Sequence, residues 1–357
     1  MNRKVWIIIF VVFCSLFQTM YVFAGSENPL LKVEGKSLDT EAIIENGAPK
    51  LPLEAVTAAL GFSIDASNQD QLIITTTDGK IIKISLSDAK VSKKDHEYYL
   101  NEIPALINGM HYLNVDFYSD TMNLRVYWDQ SDNTVKIGKI KENEIEINTI
   151  QYSFETDILK VTVQYPVVEG LEDQSIQDQI NNTFKQLADL AIQEGEKNAK
   201  ELASYTKDFP EMPRHCETYF NYQIKYNQNG LLSLIFLNYQ FAGGAHGGTI
   251  QTAFTFDLKS GELFKLQEFF KENTDYLTIF NHQIESDLTR RGLLSLLFEP
   301  FAGMKQSQPF YLSRNGFVIF YQQYEILPYS AGIQEFLIDF NQLEGILKET
   351  NMGITNE

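Results

Sequence analysis

Phe241-Ala242-Gly243-Gly244-Ala245-His246-Gly247-Gly248 lies between two strand-like runs, Leu231 to Gln240 and Ile250 to Leu258, and its reading decides the architecture. Four glycines in eight residues cost conformational entropy, and a two-residue hairpin turn does not need them. They suit backbone that bends sharply or that another surface approaches closely. Upstream, Thr218 to Tyr226 reads as a third strand, joined to Leu231 through Asn229-Gly230, a tight-hairpin dipeptide. Downstream, Ser260-Gly261 turns the chain into a further short strand, Glu262 to Leu266.

Helical patterns flank this strand block. Ser175-Ile176-Gln177-Asp178 has the form of a capping box, with Asp in place of Glu. Ile176, Ile180, Phe184, Leu187 and Ala191 follow at helical spacing, and the helix is expected to reach Tyr205 and stop before Pro210. A second helix, Asp275 to about Arg291, places Leu277, Phe280, Ile284 and Leu288 on one face. Ile147 to Val168 alternates as a sheet segment does. The chain closes with Phe310-Tyr311-Leu312, a turn at Arg314-Asn315-Gly316, a strand Phe317 to Tyr321, a Pro-Tyr loop and a strand Phe336 to Phe340. Strands, helix, strands, helix, strands predict an α+β class, antiparallel sheets with helices packed on one face.

Residues 25–140 read as a smaller α+β unit built on a repeat. Asn46-Gly47 with Leu51-Pro52-Leu53 recurs 62 positions later as Asn108-Gly109 with Leu113-Asn114-Val115. Each copy continues into an apolar helical stretch and two strand-like segments, as repeated supersecondary units do. Polar Gly138 to Glu144 reads as the linker to a domain over residues 145–350.

The segments Gly243-Gly244-Ala245-His246-Gly247, Phe256-Asp257-Leu258-Lys259-Ser260-Gly261 and Tyr324-Glu325-Ile326-Leu327-Pro328-Tyr329-Ser330-Ala331-Gly332 occur in an order that resembles the RsiV/PdaC-type extracellular domain. That domain is shared by a lysozyme-sensing anti-sigma factor and a peptidoglycan deacetylase. Leu51-Pro52-Leu53-Glu54-Ala55-Val56 with Leu60-Gly61 resembles the copper-amine-oxidase N-terminal-like stalk of bacterial envelope proteins, although the second copy lacks the proline. The resemblance implies a spacer or wall-docking stalk without copper, followed by a domain that binds a basic protein such as lysozyme. Only four residues precede the apolar N-terminal stretch, so no cytoplasmic sigma-binding part is expected.

Targeting and charge agree with that setting. Arg3 and Lys4, the apolar run Val5 to Phe17, and Val22-Phe23-Ala24 before Gly25 form a signal-peptide pattern over residues 1–24. If it is left uncleaved, Val5 to Ala24 is about long enough to anchor the chain in a bilayer. The protein is therefore expected to be secreted or wall-associated, with any membrane contact made through that segment alone. The formal charge is −18, with 47 acidic against 29 basic residues, and removing residues 1–24 takes away two more cations. Such a chain repels nucleic acid and anionic membrane and attracts cationic partners. Only Cys216 survives processing, which leaves no intrachain disulfide.

Few residues suggest catalysis, so none is assigned a catalytic role, and no metal or cofactor is expected. His96, His111, His215, His246 and His282 include no pair at metal-ligand spacing. A Gly-x-Ser-x-Gly elbow is absent. Binding is read onto two loops instead. Gly243, Gly244 and His246 offer bare backbone beside an imidazole whose other role is to hydrogen-bond the loop. Tyr324, Glu325, Pro328 and Tyr329 offer two amphipathic rings, a charge for a basic partner and a stiffening proline. Alternation leaves a second arrangement open, with Tyr324 in the core and only Tyr329 outside. Peptidoglycan is the competing ligand, and a peptidoglycan-modifying enzyme is a more remote one.

Overall fold

The computed structural model describes residues 28–45, 47–208, 211 and 215–348. The signal peptide expected over residues 1–24 lies outside the described residues. Among those that are described, no helix is long and apolar enough to cross a membrane.

The C-terminal region is built in four layers. Its larger sheet contains β1 (Glu146–Glu155), β2 (Leu159–Glu169), β3 (Cys216–Gln228), β4 (Leu231–Phe241) and β5 (Gly248–Asp257), in that spatial order. Between β2 and β3 the chain makes the helix α1 (Gln174–Tyr205), so these two strands pair in parallel while every other pair in the sheet is antiparallel. A parallel pair needs a long crossover, and the helix supplies it. The smaller sheet contains β6 (Phe310–Leu312), β7 (Gly316–Tyr321) and β8 (Gln334–Asp339), and α2 (Tyr276–Arg290) covers it.

Strand alternation assigns the faces. On β4, Leu232, Leu234 and Phe236 point to α1, where Phe184 meets Phe236 at 5.4 Å and Phe256 at 5.7 Å between ring centroids. Ile235 points the opposite way and packs on Tyr311, Val318 and Phe320 of the smaller sheet. On β7 the odd positions Phe317, Ile319 and Tyr321 join the α2 core. Each sheet thus keeps its helix on one face and meets the other sheet with its second face, as the α+β expectation required. The Ser233 hydroxyl stitches the layers, accepting the Leu312 N–H at 3.0 Å.

Three local expectations change. Asp173, not Ser175, caps α1, accepting from the Ser175 and Ile176 N–H groups. The carboxylate two residues upstream reaches the open amides first, because Ser175 already lies inside the helix. Glu262 to Leu266 does not form a strand. A single bridge between Phe256 and Leu263 is followed by a 3₁₀ turn over Leu266–Phe269, which sends Leu266 and Phe269 into the α2 core. Polar 138–144 is no free linker either. Asn143 accepts the Gly230 N–H at 2.8 Å and donates to Asn227 and Leu231, clasping the β3–β4 hairpin.

Gly195 shows how closely α1 lies on the sheet. A Cβ at this position would overlap Thr218 Oγ1, which is fully buried and bonded to Gln240 Oε1 at 2.9 Å. Gly195→Ala gains about 1 kcal/mol of helix propensity but overpacks a stiff β-branched neighbour, so a net loss of about 1–2 kcal/mol is expected. A shift of the urea midpoint to lower concentration at unchanged slope checks this.

The N-terminal unit has one core, from Leu31 to Ile137. Its two repeat copies pair with each other: Leu51 lies opposite Leu113 in one antiparallel sheet. The first copy continues into the helix Leu53–Ala59, the second only into a π-type turn, Phe117–Thr121. Three strands that the repeat does not contain, Ile81–Ser85, Lys90–Lys93 and His96–Tyr99, extend towards the C-terminal region. Their tip docks there: Asn221 Nδ2 donates to the Glu97 carbonyl at 2.7 Å, and the His96 ring stacks on Tyr222 at 4.2 Å. Burial pushes the His96 imidazole down to about 4, so the ring is neutral in this contact.

Candidate functional site

The glycine-rich loop and the Tyr324–Gly332 loop meet at one end of the larger sheet. His246 stacks on Tyr329 with ring centroids 3.9 Å apart, and Tyr324 lies 5.6 Å from Tyr329 and 6.5 Å from His246. The carbonyl of Gly247 accepts from the Tyr329 hydroxyl at 2.9 Å and faces His246 Nδ1 at 2.8 Å. A carbonyl can only accept, so Nδ1 donates to it, and Nε2 lies 3.5 Å from the Tyr324 hydroxyl. The imidazole holds the loop together, the structural role that the sequence allowed it.

Two of the loop's glycines are required by their surroundings. Gly243 has φ +81°, and a Cβ there would meet Leu202 of α1 at 2.8 Å. Gly247 is overlaid by the Tyr239 ring, which leaves no room for a side chain. Gly244 has nothing within 4 Å of its Cβ position and is the open point of the loop.

The second loop is pinned by side-chain amides. β5 is a sheet edge, and its backbone would otherwise be unpaired there. Gln322 accepts the Gln251 N–H at 3.0 Å and donates to the Gln251 carbonyl at 2.7 Å, while Gln323 accepts the Thr249 N–H at 2.9 Å. Two glutamines thus stand in for a neighbouring strand. Glu325 turns back on its own loop, taking the Gln322 N–H at 2.8 Å and Gln308 at 3.3 Å, although it remains exposed. Pro328 starts the 3₁₀ turn Tyr329–Ala331, with its carbonyl taking the Ala331 N–H at 2.9 Å.

Exposure settles which tyrosine faces outward. Tyr324 is 56% exposed and Tyr329 half-buried, the reverse of the arrangement that alternation left open. The reason lies in the backbone: Tyr324 has φ +64°, a left-handed conformation that costs about 1–2 kcal/mol for a residue with a Cβ and ends the alternation of β7. Nothing in the residue pattern marks Tyr239, Gln322 and Gln323 as supports, because lone amide and tyrosine signals are the same in any loop.

Other candidates resolve simply. Cys216 is fully buried in the α1 core, where burial raises its thiol pKa. His111 pairs with Glu54, Nδ1 to Oε1 at 2.6 Å, inside the N-terminal unit. Among the described residues, no three His, Cys, Asp or Glu side chains converge as metal ligands would.

Comparison with known proteins agrees with these parts. Residues 32–137 match the copper amine oxidase N-terminal domain family, 152–249 the deacetylase PdaC family, and 267–341 a protein family of unknown function, DUF3298. The peptidoglycan-N-acetylmuramic acid deacetylase PdaC of Bacillus subtilis is 23% identical over 210 residues, 57% of this chain and 42% of the relative. The chain thus spans about two fifths of that protein's length. Anti-sigma-V factor RsiV of Bacillus subtilis is 25% identical over 225 residues, covering 59% of this chain and 72% of RsiV. A DUF3298-family structure from Bacteroides fragilis aligns over 59% of this chain and 96% of its own, with a TM-score of 0.47 and 18% identity. The chain carries an RsiV/PdaC-type domain behind a copper-amine-oxidase N-terminal-type domain, and is a cell-envelope-related module by that kinship.

Proposed function

We propose that this is an exported, non-catalytic binding protein of the cell envelope that presents His246, Tyr324 and Tyr329 to a basic cell-wall hydrolase such as lysozyme. One observation carries the reading. Two loops 78 residues apart converge on a single aromatic surface, whose exposed ring sits on strained backbone. Strain of this kind persists only where the surroundings enforce it, and it clusters at binding sites. Gln322, Gln323 and the Gly247 carbonyl fix the rings beforehand, so little entropy is lost on docking. The acidic chain supplies long-range attraction for a cationic protein. The likeness to RsiV points to a lysozyme-type hydrolase. The hydrogen bonds of His246 are spent on loop geometry, which supports a binding role over a catalytic one.

Calorimetric titration of the protein lacking residues 1–24, with lysozyme and separately with peptidoglycan fragments, tests this. Tyr329→Ala is expected to cost about 2 kcal/mol, roughly thirtyfold in affinity, because it removes the ring on which His246 stacks. Lysozyme binding should also weaken steeply with salt. Unchanged affinity in both Tyr329→Ala and His246→Ala would reject this surface. Salt-indifferent binding of fragments alone would favour a wall-docking role, and turnover of fragments lost in His246→Ala would establish an enzyme.

A further inference from the structure

Between the N-terminal unit and the C-terminal region lies a cavity of about 1030 Å³, lined by both. Its volume is that of a small-molecule or short-peptide site, and such sites favour domain boundaries. His96 and Tyr98 of the N-terminal unit and Tyr222, Ile235 and Leu237 of the C-terminal region are part of its lining.

Most of the charges on its lining are matched. Lys225 is paired with Asp120, Lys94 with Glu146, Lys80 with Asp78 and Glu102 with Lys50, while Glu142 accepts from Asn123. Two are not. Among the described residues the Asp116 side chain has no hydrogen bond or ion pair, and it stands exposed on the cavity wall. Lys93 donates to the Thr121 carbonyl at 2.7 Å and, among the described residues, has no carboxylate within ion-pair distance. Glu335, held by Gln251 at 2.8 Å, adds a second negative charge near Asp116. Burial and the charge of Asp120 push the Asp116 carboxyl up to about 6, and burial pushes the Lys93 ammonium down to about 8. Two opposite charges thus line one cavity without ionic partners, where a ligand bearing the opposite charges would pair with them.

The geometry points to a binding site for a zwitterionic peptide, its amino terminus at Asp116 and its carboxylate at Lys93, with the intervening chain against the tyrosines and aliphatic side chains of the lining. Residues of both units line this cavity, so an occupant clamps the two together. The cavity reaches Thr249, Gln251 and Gln323 behind the aromatic surface but includes none of its three rings, and failure of this site would leave the hydrolase-binding reading intact.

The test uses alanine peptides of two to five residues with free termini, titrated into the full mature-length chain by calorimetry. One length is expected to bind best, because it spans the two charges. N-acetylation or Asp116→Asn should each weaken that peptide about tenfold or more, and the two losses should not add. Amidation of the carboxylate and Lys93→Met should behave as the second such pair. Asp116→Asn removes an uncompensated charge and should fold, as far-UV circular dichroism will confirm. Absence of binding by every free peptide up to about 10 mM, a limit near 3 kcal/mol of binding free energy, would overturn the proposal. So would equal binding of free and blocked forms, or additive losses.

Discussion

Replacing Asp120 with alanine is expected to cost about 3–5 kcal/mol of folding stability and to uncouple the N-terminal unit from the rest of the chain. Asp120 sits on the π-type turn Phe117–Thr121, and both of its ionic partners come from the C-terminal region. Lys225 Nζ lies 2.7 Å from one carboxylate oxygen and Arg314 Nη1 3.2 Å from the other. Side-chain exposure is 10% at Lys225 and 1% at Arg314, so neither cation can turn to water when the carboxylate is removed. Burial alone would lower the Lys225 ammonium, but the surrounding carboxylates, Asp120 first, outweigh it and leave its pKa raised. Asp116 and Glu335 stay nearby in the variant and soften the loss, which favours the lower end of the range. Trp128 belongs to the N-terminal unit, so its emission follows that unit while far-UV circular dichroism sums both. The two urea curves should coincide for the natural chain and separate for Asp120→Ala. Coincident curves at an unchanged midpoint would show that the buried ion pairs do not couple the units.

What the sequence disclosed, and what it hid, divides along a physical line. Periodic burial was legible: α1, α2 and the β3–β4–β5 meander all follow from apolar spacing and the Asn229-Gly230 turn, whose two residues have φ +55° and +76°. The Gly-rich and Pro-Tyr loops were legible as unusual composition, but their meeting was not. Side-chain hydrogen bonding to backbone was not legible. Asn143 in the supposed linker, Gln322 and Gln323 on the β5 edge, and Asp173 at the α1 cap are ordinary polar residues until their partners are placed in space. The interdomain cavity was hidden for the same reason. Asp116 and Lys93 draw their character from what surrounds them, and nothing in their local sequence marks it.

The remaining large effect is expected at Gly316. A Cβ there would overlap the Ile338 carbonyl group and come within 3.0 Å of Asp339 Cα, which is backbone on the paired strand β8. Backbone cannot rotate away as a side chain can, so β7 and β8 must part for alanine to fit. Gly316→Ala is expected to cost about 3 kcal/mol by this overpacking. The consequence reaches the proposed binding surface, because β7 leads directly into Gln322, Gln323 and Tyr324, and β8 receives the chain after Gly332. Parting these strands withdraws the amide pins from the β5 edge and lets Tyr324 leave its left-handed backbone. Affinity for the basic partner should therefore fall even at temperatures where the variant is fully folded. Gly244→Ala is the matched control: its Cβ meets nothing within 4 Å, and its stability should stay within about 0.5 kcal/mol of the natural chain. Urea midpoints of the two variants, with lysozyme titrations of Gly316→Ala and the natural chain, decide the matter. If Gly316→Ala kept the natural midpoint, the strand pair would not be the rigid frame on which the aromatic surface rests.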